Sequence, residues 1–90
     1  MPLTWTIEYT ATARSQLRKL DKQMARRIVD YMSERVAVLE NPRNLGKALT
    51  GPMGEFWRYR VGYCRVVCDI QDDVLRVLVV RVGSRAKVYR

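Results

Sequence analysis

From Leu3 to Tyr9 apolar and polar residues alternate. Leu3, Trp5, Ile7 and Tyr9 fall on one side, and Thr4, Thr6 and Glu8 on the other. A period of two predicts a half-buried strand. The period then lengthens. Thr10 stands where an N-cap belongs, and Ala13, Leu17 and Leu20 supply a buried stripe, so a short helix is expected through about Leu20. Asp21 offers a second cap. Met24, Ile28, Tyr31 or Met32, Val36 and Leu39 recur at helical spacing, while Arg26, Arg27, Asp30 and Glu34 take other faces. Asn41-Pro42 ends this longer helix, because proline disfavours helix at the residue before it. Two helices joined by almost no linker form an antiparallel hairpin.

Asn44 to Glu55 holds three glycines and a proline and reads as a loop. Phe56–Val61, Tyr63–Ile70 and Val74–Val82 read as three strands of a meander, with turns at Gly62 and Asp72-Asp73. The last strand is apolar on both faces, which marks a central strand. The order β-α-α-β-β-β predicts a single α+β domain over residues 1–90. Two helices cover one face of a mainly antiparallel sheet, and the other face stays open.

Charge changes this picture. The 90 residues carry 13 arginines, 4 lysines and no histidine, for a formal net charge of +8. That excess favours polyanions, and the bias to arginine favours planar two-pronged contacts that lysine cannot make. No run approaches the ~18 apolar residues of a membrane span. Cys64 and Cys68 lie about 13 Å apart on one face of a strand at ~3.3 Å per residue, beyond the ~7 Å limit for a disulfide. Without histidine they make no zinc site, so they read as core residues of a protein in a reducing cytoplasm.

Alternation then assigns the arginines. Arg58 and Arg60 share one face of their strand, opposite Trp57, Tyr59 and Val61. Arg65 opens the next strand, and Arg81, Gly83 and Arg85 share a parity in the last. If the register brings these together, they form an electropositive surface on the open face. Lys47 in the loop is a candidate phosphate contact, and Trp5 and Trp57 read as core or partner-facing packing. Guanidinium groups hold phosphates and aromatic rings stack on bases, so the mixture suits RNA.

The order of motifs adds to this. Leu-Asp-Lys follows the first helix and Asn-Pro-Arg the second. Gly-Lys-Ala-Leu-Thr-Gly fills the loop, then come Trp-Arg-Tyr-Arg-Val-Gly, Arg-Val-Val-Cys-Asp-Ile and Val-Gly-Ser-Arg before a terminal Val-Tyr-Arg. Together these resemble the RelE/ParE superfamily of bacterial toxins, nearest its RelE branch, over essentially the whole chain. The resemblance implies a compact α+β sandwich. It also implies a metal-independent, cofactor-free endoribonuclease that enters the ribosomal A site and cuts the messenger there. It further implies a cognate acidic antitoxin, and operator DNA bound by the toxin–antitoxin complex rather than the toxin alone.

By position, the resemblance makes Arg60, Arg65, Arg85 and Tyr89 the catalytic set, with Lys47, Arg58, Arg81 and Lys87 as RNA contacts. Cleavage needs a base for the 2′-OH, a cation for the phosphorane and an acid for the 5′-oxygen. Arg65 and Arg85 would hold the phosphorane, Arg85 would protonate the leaving oxygen, and Tyr89 would orient a base or the phosphate. Two departures matter. Some relatives carry lysines where Arg58 and Arg60 stand, and arginine is a good phosphate clamp but a poor base. Many close relatives have histidine where this chain has Ser84, which cannot replace imidazole near neutral pH. The base is left to Lys47, Lys87, Tyr89, the ribosome or the substrate. Otherwise the chain is a weakly active or vestigial homologue, or a ParE-like poison of DNA gyrase that cuts nothing.

Overall fold

A computed structural model describes residues 4–49 and 55–84. Its elements run β1 (Thr6–Tyr9), α1 (Ala11–Lys19), α2 (Lys22–Tyr31), β2 (Lys47–Ala48), β3 (Trp57–Val61), β4 (Cys64–Gln71) and β5 (Arg76–Ser84). Both expected caps are present. Thr10 Oγ1 accepts from the Ala13 amide at 3.1 Å, and Asp21 Oδ1 accepts from the Met24 amide at 2.7 Å. Each satisfies an amide that has no partner inside its helix.

The last three strands shift from their expected bounds by one or two residues, and three other departures have local reasons. β1 begins at Thr6 because the Trp5 amide donates to the Ala37 carbonyl at 2.8 Å instead of to a strand. Leu3 lies outside the described residues. α2 ends at Tyr31 rather than near Asn41, and Met32–Val36 form a wider π turn. Met24, Ile28, Met32 and Val36 repeat every four residues, and such a stripe drifts by about 40° per step on a helix of 3.6 residues per turn. The wider turn takes up the drift, so Met32 and Val36 stay fully buried. The expected loop also contains a strand, β2, which at two residues has no period to read.

The sheet order is β1-β5-β4-β3-β2. β1 runs parallel to β5, and the other pairs are antiparallel. This is the expected α+β architecture with one added short strand, and β5 is interior as its two apolar faces foretold. The core joins Ala13, Met24, Ile28, Met32 and Val36 of the helical layer to Tyr59, Val61, Cys64, Val66, Cys68, Val77, Val79 and Val82 of the sheet. Cys64 and Cys68 are buried free thiols, and burial pushes the Cys68 thiol up, so it behaves as a small apolar residue.

One irregularity sets which side chains of β5 face where. Val67 pairs with Arg81, but Cys68 pairs with Val79. Val80 is therefore an extra residue, a β-bulge, and the strand changes phase across it. Val77 and Val79 before it and Val82 after it all face the core.

The opposite face is not wholly open, contrary to the reading from topology. Leu49 and Val67 are buried there, with Phe56 and Val80 packed against them. Val67 lies between Arg58 and Arg81 across the sheet, so this patch separates those two arginines.

Candidate functional site

The register answers what alternation could not. Arg60 pairs with Arg65, and Arg65 pairs with Gly83. One row further, Lys47 pairs with Arg58, Arg58 with Val67, and Val67 with Arg81. All lie on the face turned away from the helices, since Tyr59, Val61, Cys64, Val66 and Val82 take the core side. Lys47, Arg58, Arg60, Arg65 and Arg81 thus form a strip across four adjacent strands, about 14 Å wide at ~4.8 Å per strand.

The strip holds two like-charge pairs directly opposite each other, Arg60 with Arg65 and Lys47 with Arg58. Such pairs disfavour folding. The ion pairs among the described residues, Arg43–Asp72 and Glu8–Arg76, use none of Lys47, Arg58, Arg60 or Arg81. Arg65 is buried at 9 % exposure. Lys47 and Arg60 are exposed, and Arg58 and Arg81 are half-buried.

Two depressions open at the margins of the strip, each lined on one side by the helical layer. One, of about 320 Å³, is lined by Tyr31, Gly46, Lys47, Arg58 and Arg60. The other, of about 300 Å³, lies where the end of α1 meets the end of β5 and includes Gln16, Lys19, Arg81 and Ser84. In it Gln16 Oε1 accepts from the Val82 amide at 2.7 Å.

Lys47 reaches the strip because the segment before it is tied down. The Trp57 indole N–H donates to the Leu45 carbonyl at 2.6 Å, and the Tyr59 hydroxyl donates to the Pro42 carbonyl at 2.7 Å. Arg43 grips Asp72 with two nitrogens, at 2.9 and 2.8 Å, which fixes the segment to the β4–β5 turn. Between these ties Gly46 crosses flat against β3 at φ +76. A Cβ there would collide with the Arg58 carbonyl oxygen and lie 2.8 Å from Trp57 Nε1. Trp57 is thus more than packing: its nitrogen anchors the segment.

Of the expected catalytic residues, the structure brings Arg60 and Arg65 together. Of the expected RNA contacts, Lys47 and Arg58 join them, and Arg81 stands at the far end of the strip in the second depression. Arg85, Lys87 and Tyr89 lie outside the described residues. Sequence reasoning offered Tyr31 or Met32 for the buried stripe of α2; Tyr31 does pack against the core, but the reasoning missed that it also lines the first depression. It also missed Arg43 and Gly46. The Asn-Pro-Arg and Gly-Lys steps were visible, but nothing local tied them to Trp57 and Tyr59.

No described tyrosine at this site is poised as a base. Burial raises the phenol pKa of both Tyr31 and Tyr59, with Arg35 opposing the shift at Tyr31. Both therefore stay protonated at neutral pH. Among the described residues there is no group of three or more His, Cys, Asp or Glu side chains that could hold a metal ion, and no helix is long and apolar enough to cross a membrane.

Comparison with known proteins bears on the fold and the family. The model of the ParE toxin of type II toxin–antitoxin systems matches residues 7–89. Toxin RelG of Mycobacterium tuberculosis is 28 % identical over 88 residues, covering 98 % of this chain and 99 % of that protein. Toxin RelE of the same organism is 32 % identical over 84 residues, covering 93 % and 84 %. Among solved structures, the RelBE2 toxin–antitoxin complex of M. tuberculosis matches with a TM-score of 0.84 at 26 % identity, over 97 % of this chain and 98 % of that one. A free E. coli RelE variant shares the fold, with a TM-score of 0.74 at 24 % identity over 93 % and 87 %. The motif order, the two helices on a mixed five-stranded sheet and these matches over nearly the full length converge: the chain belongs to the RelE/ParE superfamily of type II toxin–antitoxin toxins.

Proposed function

We propose that this toxin is a ribosome-dependent endoribonuclease that cuts messenger RNA in the A site and so stops translation. The observation that carries the reading is the strip of like-charged pairs, Lys47–Arg58 and Arg60–Arg65, on adjacent strands of the face away from the helices. Phosphates would relieve the repulsion between Lys47 and Arg58, and the buried Arg65 would act on a reacting phosphate in a site where water screens little.

In the reaction the 2′-oxygen attacks the adjacent phosphorus and the bond from phosphorus to the 5′-oxygen breaks. The products are a 2′,3′-cyclic phosphate and a 5′-hydroxyl. Arg65, with Arg85, stabilises the phosphorane, and Arg85 protonates the leaving oxygen. Arg60 clamps the reacting phosphate, while Lys47, Arg58, Arg81 and Lys87 hold neighbouring ones. Tyr89 orients the substrate. The base comes from Lys47, Lys87, Tyr89, the ribosome or the substrate itself, since Tyr31 and Tyr59 are held protonated and Ser84 stands where many relatives have histidine.

The reading places the protein in the cytoplasm, with ribosome and messenger as targets. Its partner is an acidic antitoxin that covers the strip, as the solved RelBE2 and E. coli RelBE structures are toxin–antitoxin complexes. The complex, rather than the toxin alone, binds operator DNA. The test is a translation reaction stalled with a defined codon in the A site. The messenger should be cut there by the wild type and left intact by Arg65→Ala. Intact messenger at saturating wild-type toxin would overturn the reading. A second reading, a ParE-like gyrase poison, is favoured by the family match and by Ser84. Inhibition of gyrase supercoiling by the purified toxin, with no RNA cut, would establish it instead.

A further inference from the structure

The depression beside Arg58 and Arg60 holds one group that the reaction above does not use. Tyr31 comes from α2, in the helical layer, whereas Lys47, Arg58 and Arg60 come from β2 and β3. They meet because β2 pairs with only Trp57 and Arg58. Beyond that pairing, the β3 margin from Tyr59 to Val61 has no strand beside it among the described residues. The Tyr31 ring is half-buried, braced by Tyr59 at a centroid distance of 6.2 Å and an interplanar angle of 59°. The Arg35 guanidinium lies over it at 5.9 Å. A braced ring moves little, so it loses little freedom when a second ring is laid on it.

Three cations and one aromatic face in one cavity make a particular kind of site. Cations alone would take any phosphate, and a ring alone would take any apolar group. Side by side they match a nucleotide, whose base stacks while its phosphates are paired. The volume, about 320 Å³, is at the lower end of small-ligand sites and suits one nucleotide rather than a longer run. Because the Tyr31 phenol stays neutral, it adds no repulsion toward phosphate.

We propose that Tyr31 is a base-stacking platform: one nucleotide of a single-stranded RNA lays its base on the Tyr31 ring while Lys47, Arg58 and Arg60 hold the flanking phosphates. The proposal rests on the endoribonuclease reading and adds to it a substrate contact from the helical layer. Arg35, which lies over the ring at 5.9 Å, swings outward to admit the base and then caps it from the solvent side.

The experiment is fluorescence anisotropy at low salt with two probes, a ten-nucleotide single-stranded RNA and the same backbone made wholly of abasic residues. Wild-type toxin should bind the RNA more tightly than the abasic strand, by on the order of tenfold for one stacked base. Tyr31→Leu should remove that preference and leave abasic affinity unchanged, and Tyr31→Phe should restore it. Arg58→Ala should weaken both probes alike. Equal wild-type affinity for the two probes overturns the platform without any variant, as does a Tyr31→Leu protein that keeps the preference or loses both affinities together. Those results leave the nuclease reading standing. A wild type that binds neither probe likewise overturns the platform, while the nuclease reading stands or falls on the stalled-ribosome reaction.

Discussion

Gly46→Ala tests the claim that the segment before β2 is held against β3 by contact too close for any side chain. Two costs add. The left-handed backbone at φ +76 costs an L-residue roughly 1–2 kcal/mol. The new methyl meets the Arg58 carbonyl, which is backbone within β3 and cannot swing away. Forcing a methyl into such a place costs about 1–3 kcal/mol more. Gly62 supplies the control. It opens the two-residue turn between β3 and β4 at φ +59, but a methyl there would meet the ends of flexible side chains, Met24 Cε at 2.7 Å and Arg27 Nη1 at 3.0 Å. Gly62→Ala should thus carry the backbone cost almost alone. The assay is urea and thermal unfolding of both variants, with hydrogen exchange at the Leu49 amide, which donates to the Phe56 carbonyl at 3.1 Å. A gap of ~1–3 kcal/mol corresponds to a Tm lower for Gly46→Ala by roughly 4–20 °C. If β2 undocks instead, because it makes only two residue pairs, the global gap shrinks and Leu49 loses protection. Equal Tm values with Leu49 still protected would refute the reasoning.

Three other outcomes are expected. Tyr59→Phe removes a buried hydroxyl from the Pro42 carbonyl and should cost about 1–2 kcal/mol in urea unfolding; no change would mean that this tie does not hold the segment. The Asp72 carboxyl is held below its ordinary value, first by its hydrogen bond from Arg43. A depressed carboxylate pKa stabilises the fold above the unfolded pKa, and the gain is lost as pH falls through the folded one. Asp72→Asn should therefore flatten the acid side of the stability profile, by a small and salt-sensitive amount for so exposed a pair; a profile identical to wild type would remove Asp72 as its source. In RNA binding, Arg58→Ala should reduce the slope of log K against log salt by about 0.7, the share of one phosphate contact on a single strand. An unchanged slope would place Arg58 away from the phosphates.

Most of the architecture was legible because it rests on local signals. Thr10 and Asp21 announce their helices, and the Met24-Ile28-Met32-Val36 stripe announces the face they bury. Arg58 and Arg60 could be placed on the outer face of β3 from parity alone. Their meeting with Lys47, Arg65 and Arg81 could not, because pairing register is a relation between strands. The second role of Tyr31 was hidden for a similar reason. A helical stripe records which side of α2 is apolar, but not that the edge of that side overhangs the margin of β3. The ties from Trp57 and Tyr59 to Leu45 and Pro42 span 12 and 17 residues and leave no periodic trace. The two-residue β2 is defined by its partner rather than by its own composition.

The extra residue at Val80 has a consequence for how such a chain can change. Were the same residues paired without the bulge, the strand would keep one phase from Val77 onward, and Arg81 would turn inward with Val77 and Val79. A charged arginine would then be driven into an apolar layer while Val82 was turned out to solvent. Loss of the Val80 codon acts differently: Arg81 moves up to the outward position and Val82 keeps facing the core, so β5 becomes a regular strand with its polarity intact. The face that Arg81 takes is therefore set by the bulge and the chain length together, and a deletion at Val80 is a change of length that this strand can absorb.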